Sequence, residues 1–404
     1  NNNKPTNGNY KTEMNITIPP ELKIGKTYPI IINVTSMIGE AVNGTVTVTT
    51  NSKETNLTLT DGIATYNYTP TKDGETTIKI TYNDPNGKYG KNTLTQTITV
   101  NKINAILKVD SVKTTPNTRI NIPITLTDEF ENPLNGTVTV IDQYNNTFAI
   151  INVIDGKGTF TKIFRGNFNQ NLTFIYEETE IYNAINTTIN VDIHKFSTTV
   201  IIDPINAQIG DKINLKATVT DEDGNPVTEG RLVFKVNGKT IKDANGNIIY
   251  ATIKDGIAMI ENYTVPANWF KIESEISVLY GGTNKYTSYR SEAIPMNITK
   301  KTATMTMTTN TTTAKPGETI KITVKITEKD TNVNEGRVLF KVNGKTMRDN
   351  EGYIIYHEVK DGLVTIDYTI PENARAQDYT FTCVYGNKLY ERCDVNSTIT
   401  VVKN

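Results

Sequence analysis

Few side chains in this chain of 404 residues are equipped for chemistry: two Cys, two His and one Trp. Cys383 and Cys393 are separated by nine residues, with Tyr385-Gly386-Asn387-Lys388 as the turn region, so they fall on two adjacent strands. Cys383 takes the place of apolar residues (Ile80, Phe174, Val278) elsewhere in the chain, and Cys393 shares a strand face with Val395 and Ile399. Both should therefore point inward. The expectation is a disulfide between Cys383 and Cys393, adding about 2–3 kcal/mol by restricting the unfolded chain. The other reading is two buried thiols acting as small hydrophobes. Two His cannot supply a three-His zinc centre, nor two Cys a four-Cys one. His194 and His357 fall in different repeats, and His357-Glu358 lacks a second His four residues on. Packing at a surface or a junction is the better reading of both. There is no Gly-x-Ser-x-Gly elbow and no phosphate-cradling Gly-rich loop before Lys-Ser/Thr, and no pair of carboxylates is singled out. The chain reads as a non-enzyme without a cofactor.

Weaker chemistry remains. Asp221, Asp223 and Asn225, in Asp221-Glu222-Asp223-Gly224-Asn225, present oxygens of the kind that suit calcium, although the same pattern is an ordinary turn. Trp269-Phe270 is the one bulky aromatic pair in a loop. It either stacks on a sugar ring or plugs the end of a core. Sequons for Asn-linked glycans stand at Asn15, Asn33, Asn43, Asn56, Asn67, Asn135, Asn145, Asn171, Asn186, Asn262, Asn297, Asn310 and Asn396. With 75 Ser and Thr, the 48 Asn would give about nine by chance, so the excess is modest. Thr at alternate strand positions accounts for many of them. Intramolecular Lys–Asn isopeptide bonds occur in extracellular sandwiches, but no inward-facing Lys stands out.

Composition sets the frame for these residues. Lys and Arg number 42 against 43 Asp and Glu, for a net charge of −1, which gives no basic surface for nucleic acid. No run of 18 apolar residues offers a membrane span. Leu is scarce at 14, while Thr reaches 66 and Ile and Val are abundant. Residues branched at the β-carbon suit strands and disfavour helical bundles.

The chain repeats itself four times. A Gly opening a strand comes first, at Gly44, Gly136, Gly230 and Gly336. An Asp-Gly turn follows, at Asp61-Gly62, Asp155-Gly156, Asp255-Gly256 and Asp361-Gly362. A Tyr then ends an alternating strand, at Tyr82, Tyr176, Tyr280 and Tyr385. From the first Gly to the Gly of the turn the interval is 18 and 20 residues in the first two copies and 26 in the last two. The extra residues are assigned to a longer hairpin holding Asp243-Ala244-Asn245-Gly246 and Asp349-Asn350-Glu351-Gly352. Asn237-Gly238 and Asn343-Gly344 are further hairpin turns.

About seven short strands per ~100 residues mean a two-sheet sandwich. The fold expected is all-β: four tandem immunoglobulin-like β-sandwich domains, spanning residues 1–101, 102–194, 195–299 and 300–404. Residues 1–12 are polar and expected to be disordered. Linkers are almost absent, so the domains should join stiffly. Strands of ~10 residues would give an extended rod of roughly 150 Å.

The third copy carries Ile209-Gly210-Asp211, Val219-Thr220-Asp221, Gly224-Asn225-Pro226-Val227, Gly230-Arg231-Leu232-Val233-Phe234, Asp255-Gly256 and Tyr280-Gly281-Gly282. The fourth repeats much of this from Pro316-Gly317-Glu318 onward, and the first two match more loosely. In these residues the chain resembles the bacterial-type immunoglobulin-like repeats of large adhesin-like surface proteins of gut methanogenic archaea. The resemblance implies an extracellular, cell-surface stalk or adhesin whose partner is another surface protein or glycan. Its motifs are structural and name no ligand. The alternative is a subunit of an extracellular filament or surface layer, in which the partner is another copy of the chain.

Overall fold

The computed structural model describes residues 10–403. Among them the chain is strand and turn, with a single 3-10 turn at Ala267–Trp269. The reason is visible in Arg119–Asp128, where Ile120, Ile122, Ile124 and Leu126 point into a core and the residues between them face out. A period of two with branched side chains fits a pleated, half-buried strand.

The chain divides into two compact units, residues 1–194 and 195–404. In the first unit, Thr12–Thr17, Tyr28–Ser36 and Ile63–Tyr68 form one sheet. It faces a five-stranded sheet of Leu22–Lys23, Asn92–Asn101, Gly74–Asn83, Thr45–Thr50 and Lys53–Thr58, with Ile32, Val48, Ile80 and Tyr82 between them. A second pair of sheets in this unit encloses Ile122, Val138, Phe160 and Phe174. In the second unit, one pair of sheets encloses Leu215, Phe234, Val278 and Tyr280, and another encloses Ile322, Phe340, Phe381 and Tyr385. Each pairing puts the strand after the Asp-Gly turn antiparallel to the long strand near the start, as at Thr319–Glu328 with Leu363–Thr369. A short early segment runs parallel to the last strand, as at Thr313–Ala314 with Thr400–Val401. These are tandem immunoglobulin-like sandwiches.

The sequence markers fall where the turns need them. Asp61, Asp155, Asp255 and Asp361 all take φ near +50° and the Gly after each is also positive, which is a type I′ geometry. Asn237-Gly238 and Asn343-Gly344 turn the Lys235↔Thr240 and Lys341↔Thr346 hairpins. Of the segment expected to be disordered, residues 1–9 lie outside the described residues. Tyr10 bridges to Tyr89, and Thr12 opens a strand against Ser36. Those pairings supply backbone partners that the local polarity of the sequence did not reveal.

Within each unit the successive sandwiches meet in a repeated joint. In the first, the buried Lys23 places Nζ 3.2 Å from Glu129 Oε1 and 3.1 Å from Glu21 Oε1, and donates to the Lys102 carbonyl at 3.2 Å. The Lys26 ammonium lies 4.2 Å from the centre of the Phe130 ring. In the second unit, Gln208 Nε2 donates to the Lys300 carbonyl at 3.2 Å, and Leu389 packs on the core around Phe234.

Candidate functional site

The two thiols are free, which corrects the expected disulfide. The register gives the reason. Cys383 faces Val395 across the strands and Cys393 faces Tyr385, so the two cysteines are diagonal neighbours. Such neighbours stand roughly 7–8 Å apart, beyond the ~7 Å that a disulfide spans. Cys393 Sγ instead lies 3.3 Å from Met305 Sδ. Cys383 is buried opposite Phe340, and burial pushes its thiol up to about 12.

The remaining candidates are scattered. His194 Nδ1 lies 2.9 Å from Asp192 Oδ1. His357 packs edge-on against Phe340, and burial lowers its pKa. Asp221 Oδ1 accepts from the backbone N–H groups of Asp223 and Asn225, both at 2.9 Å, so this carboxylate closes its own turn. Asp128, Asp243 and Asp349 close turns in the same way. Among the described residues no group of three His, Cys, Asp or Glu side chains could hold a metal ion. Trp269 is buried and stacked on Tyr263 with ring centres 5.2 Å apart, which fits a plug for the core. Phe270 is half-buried, with the Lys300 ammonium 5.2 Å from its ring centre. The only buried Lys among the described residues is Lys23, which is engaged by carboxylates. All thirteen sequon asparagines are exposed.

The most site-like feature escaped the sequence reading. In the fourth sandwich, a cleft of about 1010 Å³ gathers Lys300, Arg337, Lys360 and Arg392 with Glu335, Glu358 and Tyr356. Four cations against two acids leave the cleft positive. The Arg337 guanidinium carbon lies 3.8 Å from the centre of the exposed Tyr356 ring. The strand pair Arg337↔Glu358, Leu339↔Tyr356 sets this arrangement, because alternate residues share a face. Lys300 reaches in from the preceding strand region and donates to the Asn387 carbonyl at 2.8 Å. A guanidinium held flat on an aromatic ring keeps its outer N–H groups in a fixed fork suited to carboxylate or sulfate. The ring beside it offers an apolar shelf. The third sandwich repeats the stacking, with Arg231 3.7 Å from the centre of the Tyr250 ring. The signal was in the sequence: Gly-Arg followed 19 residues later by Tyr, in the third and fourth copies alike.

Among the described residues no helix is long and apolar enough to cross a membrane. No family model matches the chain, and no curated protein does. Solved structures do. The chain is similar to a tetra-tandem repeat in the extending region of a large adhesion protein, at 14% identity over 97% of this chain and 99% of that one, with a TM-score of 0.31. It is also similar to a Ca²⁺-stabilized adhesin that helps an Antarctic bacterium reach out and bind ice (14% identity, 99% and 100% covered, TM-score 0.26). Domains A168–A170 of titin match at 9% identity over 71% of this chain and 99% of theirs, with a TM-score of 0.34. At these TM-scores the likenesses say nothing of ligand or assembly.

Proposed function

We propose that the chain is an extracellular, cell-surface, adhesin-like stalk of four immunoglobulin-like domains, bounded at 101/102, 194/195 and 299/300, that attaches to an acidic glycan. The observation that carries this is the positive cleft built by Arg337 on Tyr356. A stacked guanidinium with Lys360 and Arg392 beside it recognises carboxylate or sulfate groups repeated along a sugar chain, and neutral sugars lack that charge. The exposed sequons support a surface protein that is itself glycosylated, with mass spectrometry of the chain from its source as the check.

The test is direct binding of the purified chain to dextran sulfate and to unmodified dextran of equal length. Retention on the sulfated polymer alone, falling with salt and lost in Arg337→Ala, supports the reading. Equal affinity for both polymers, or full retention by Arg337→Ala, overturns it.

A further inference from the structure

We infer that a hollow beside Trp269 in the third sandwich is a second site for acidic sugar, separate from the Arg337 cleft of the fourth. The hollow measures about 490 Å³, and Lys239, Lys242 and Lys271 line it together with Tyr263 and Trp269. No carboxylate lines it. All three lysines are exposed, and among the described residues none of them has an ion-pair partner. Like charges gathered at one concavity repel, so an anion placed among them is attracted by each and relieves that repulsion. The wall is rigid. Tyr263 and Trp269 stack with ring planes 17° apart, and Tyr263 is the more exposed of the two. Asn237 Nδ2 and Ser274 Oγ both donate to the Trp269 carbonyl, at 3.4 and 2.6 Å, and the Lys271 N–H donates to Ser274 Oγ at 2.9 Å. A ring-shaped ligand thus finds a fixed aromatic wall, and its charged substituents find ammonium groups at the rim.

The sandwich fold does not require this wall. Gly210 and Gly317 donate to the carbonyls of Val265 and Ile370, at 2.8 Å each, so the loops that follow are equivalent. The third sandwich continues as Pro266-Ala267-Asn268-Trp269-Phe270 and the fourth as Pro371-Glu372-Asn373-Ala374-Arg375. The fourth packs Ala374 against its core and places an acid at Glu372, where the third has Trp269 and Ala267. The loop of the third sandwich also borders the cleft of the fourth. Trp269 and Lys271 line the hollow, and Phe270 between them has the Lys300 ammonium 5.2 Å from its ring centre. Lys300 lines the Arg337 cleft. A polyanion that crosses this loop therefore meets cations on both sides, and two weak contacts on one ligand chain reinforce each other through effective concentration. That the anion is a sugar rests on the function proposed above; the charge and shape of the hollow do not.

Trp269 is the sole Trp of the chain, so its fluorescence reports on the hollow directly. The full chain is titrated with dextran sulfate and with unmodified dextran of equal length. The expected result is a saturable change in Trp269 emission with the sulfated polymer alone. Lys239→Gln, Lys242→Gln and Lys271→Gln combined should abolish that change and weaken binding of the polymer by roughly tenfold or more, with melting and ligand-free emission unchanged. Arg337→Ala should still show the change, at higher polymer concentration. Emission that stays constant while dextran sulfate saturates the chain overturns the proposal and leaves the Arg337 cleft standing. So does a change that the triple variant keeps, since the signal then comes from Lys300 through Phe270. A change lost in the triple variant, with full retention by Arg337→Ala, supports the hollow and overturns the cleft. Binding of neither polymer overturns both.

Discussion

A Cβ placed on Gly230 would lie 2.7 Å from both Cε2 and the hydroxyl oxygen of Tyr280. The same contact recurs as Gly44 with Tyr82, Gly136 with Tyr176 and Gly336 with Tyr385, at 2.8, 3.0 and 3.0 Å from Cε2. In three sandwiches the tyrosine hydroxyl donates to the carbonyl just before that glycine: Asn43 at 2.7 Å, Glu229 at 2.8 Å and Glu335 at 3.0 Å. The glycine leaves room for the ring, and the ring satisfies the carbonyl that the bend exposes.

Substitution at the two ends of this contact should differ in size. Gly230→Ala forces a side chain at φ +99° and into the ring, and should cost about 2–4 kcal/mol from strain and overpacking together. Tyr280→Phe removes one hydrogen bond and leaves the ring in place, a loss of about 1–2 kcal/mol. Calorimetry of the whole chain checks both: one transition should fall and the others should hold. Equal, small shifts would mean the glycine is tolerant of a side chain.

Tyr82, Tyr280 and Tyr385 give a pH signature. Burial pushes each phenol up to about 12. Unfolded tyrosine releases its proton near 10, so above that pH the unfolded chain binds fewer protons than the folded one. Stability must then fall as pH rises toward 12, and it is fully present below 10. Ultraviolet titration should show exposed phenols ionising first and these three only with alkaline unfolding. Ionisation of all tyrosines in a single step near 10 would contradict the burial.

The sequence made the contact legible as two separate markers, because Gly and Tyr recur in order, but not as partners. Pairing across strands depends on register, and register is a tertiary property. The strand pattern and Asp-Gly turns were readable for the opposite reason: alternation and positive φ are local demands. The cysteines show where local reading stops. Both face inward as expected, yet the register sets them diagonally and no bond forms. The Arg337–Tyr356 cleft needed two strands and a lysine from the preceding joint, so only its recurrence as Arg231–Tyr250 was available in advance.

Cys383 should behave as a core hydrophobe. Phe340 pairs with it as Val48 pairs with Ile80, Val140 with Phe174 and Phe234 with Val278. Cys383→Val should therefore shift stability by less than about 1.5 kcal/mol. Intact mass without reductant should equal the reduced mass, and thiol reagents should reach Cys383 only on unfolding, since burial also holds its thiol protonated. A mass two hydrogens lower would restore the disulfide and refute the register argument.

Lys23 and Glu129 test whether the joint in the first unit is held by charge. Their side chains are 8% and 28% exposed, so salt screens the pair only in part. Burial alone would pull the Lys23 pKa down; the carboxylates of Glu21 and Glu129 outweigh it and hold the pKa above the ordinary lysine value. A raised folded pKa means the contribution is whole below the unfolded value of about 10.4 and is lost as pH climbs through the folded one. Lys23→Met keeps the stem and removes the charge, and Glu129→Gln removes its partner. A double-mutant cycle on thermal stability should give a coupling of about 1–3 kcal/mol. Residual dipolar couplings should show the two sandwiches of that unit reorienting in either single variant at neutral pH, and in the parent only at high pH. A coupling under about 0.5 kcal/mol, within the error of simple additivity, with unchanged alignment would assign the joint to the Lys26–Phe130 contact and the backbone bonds instead.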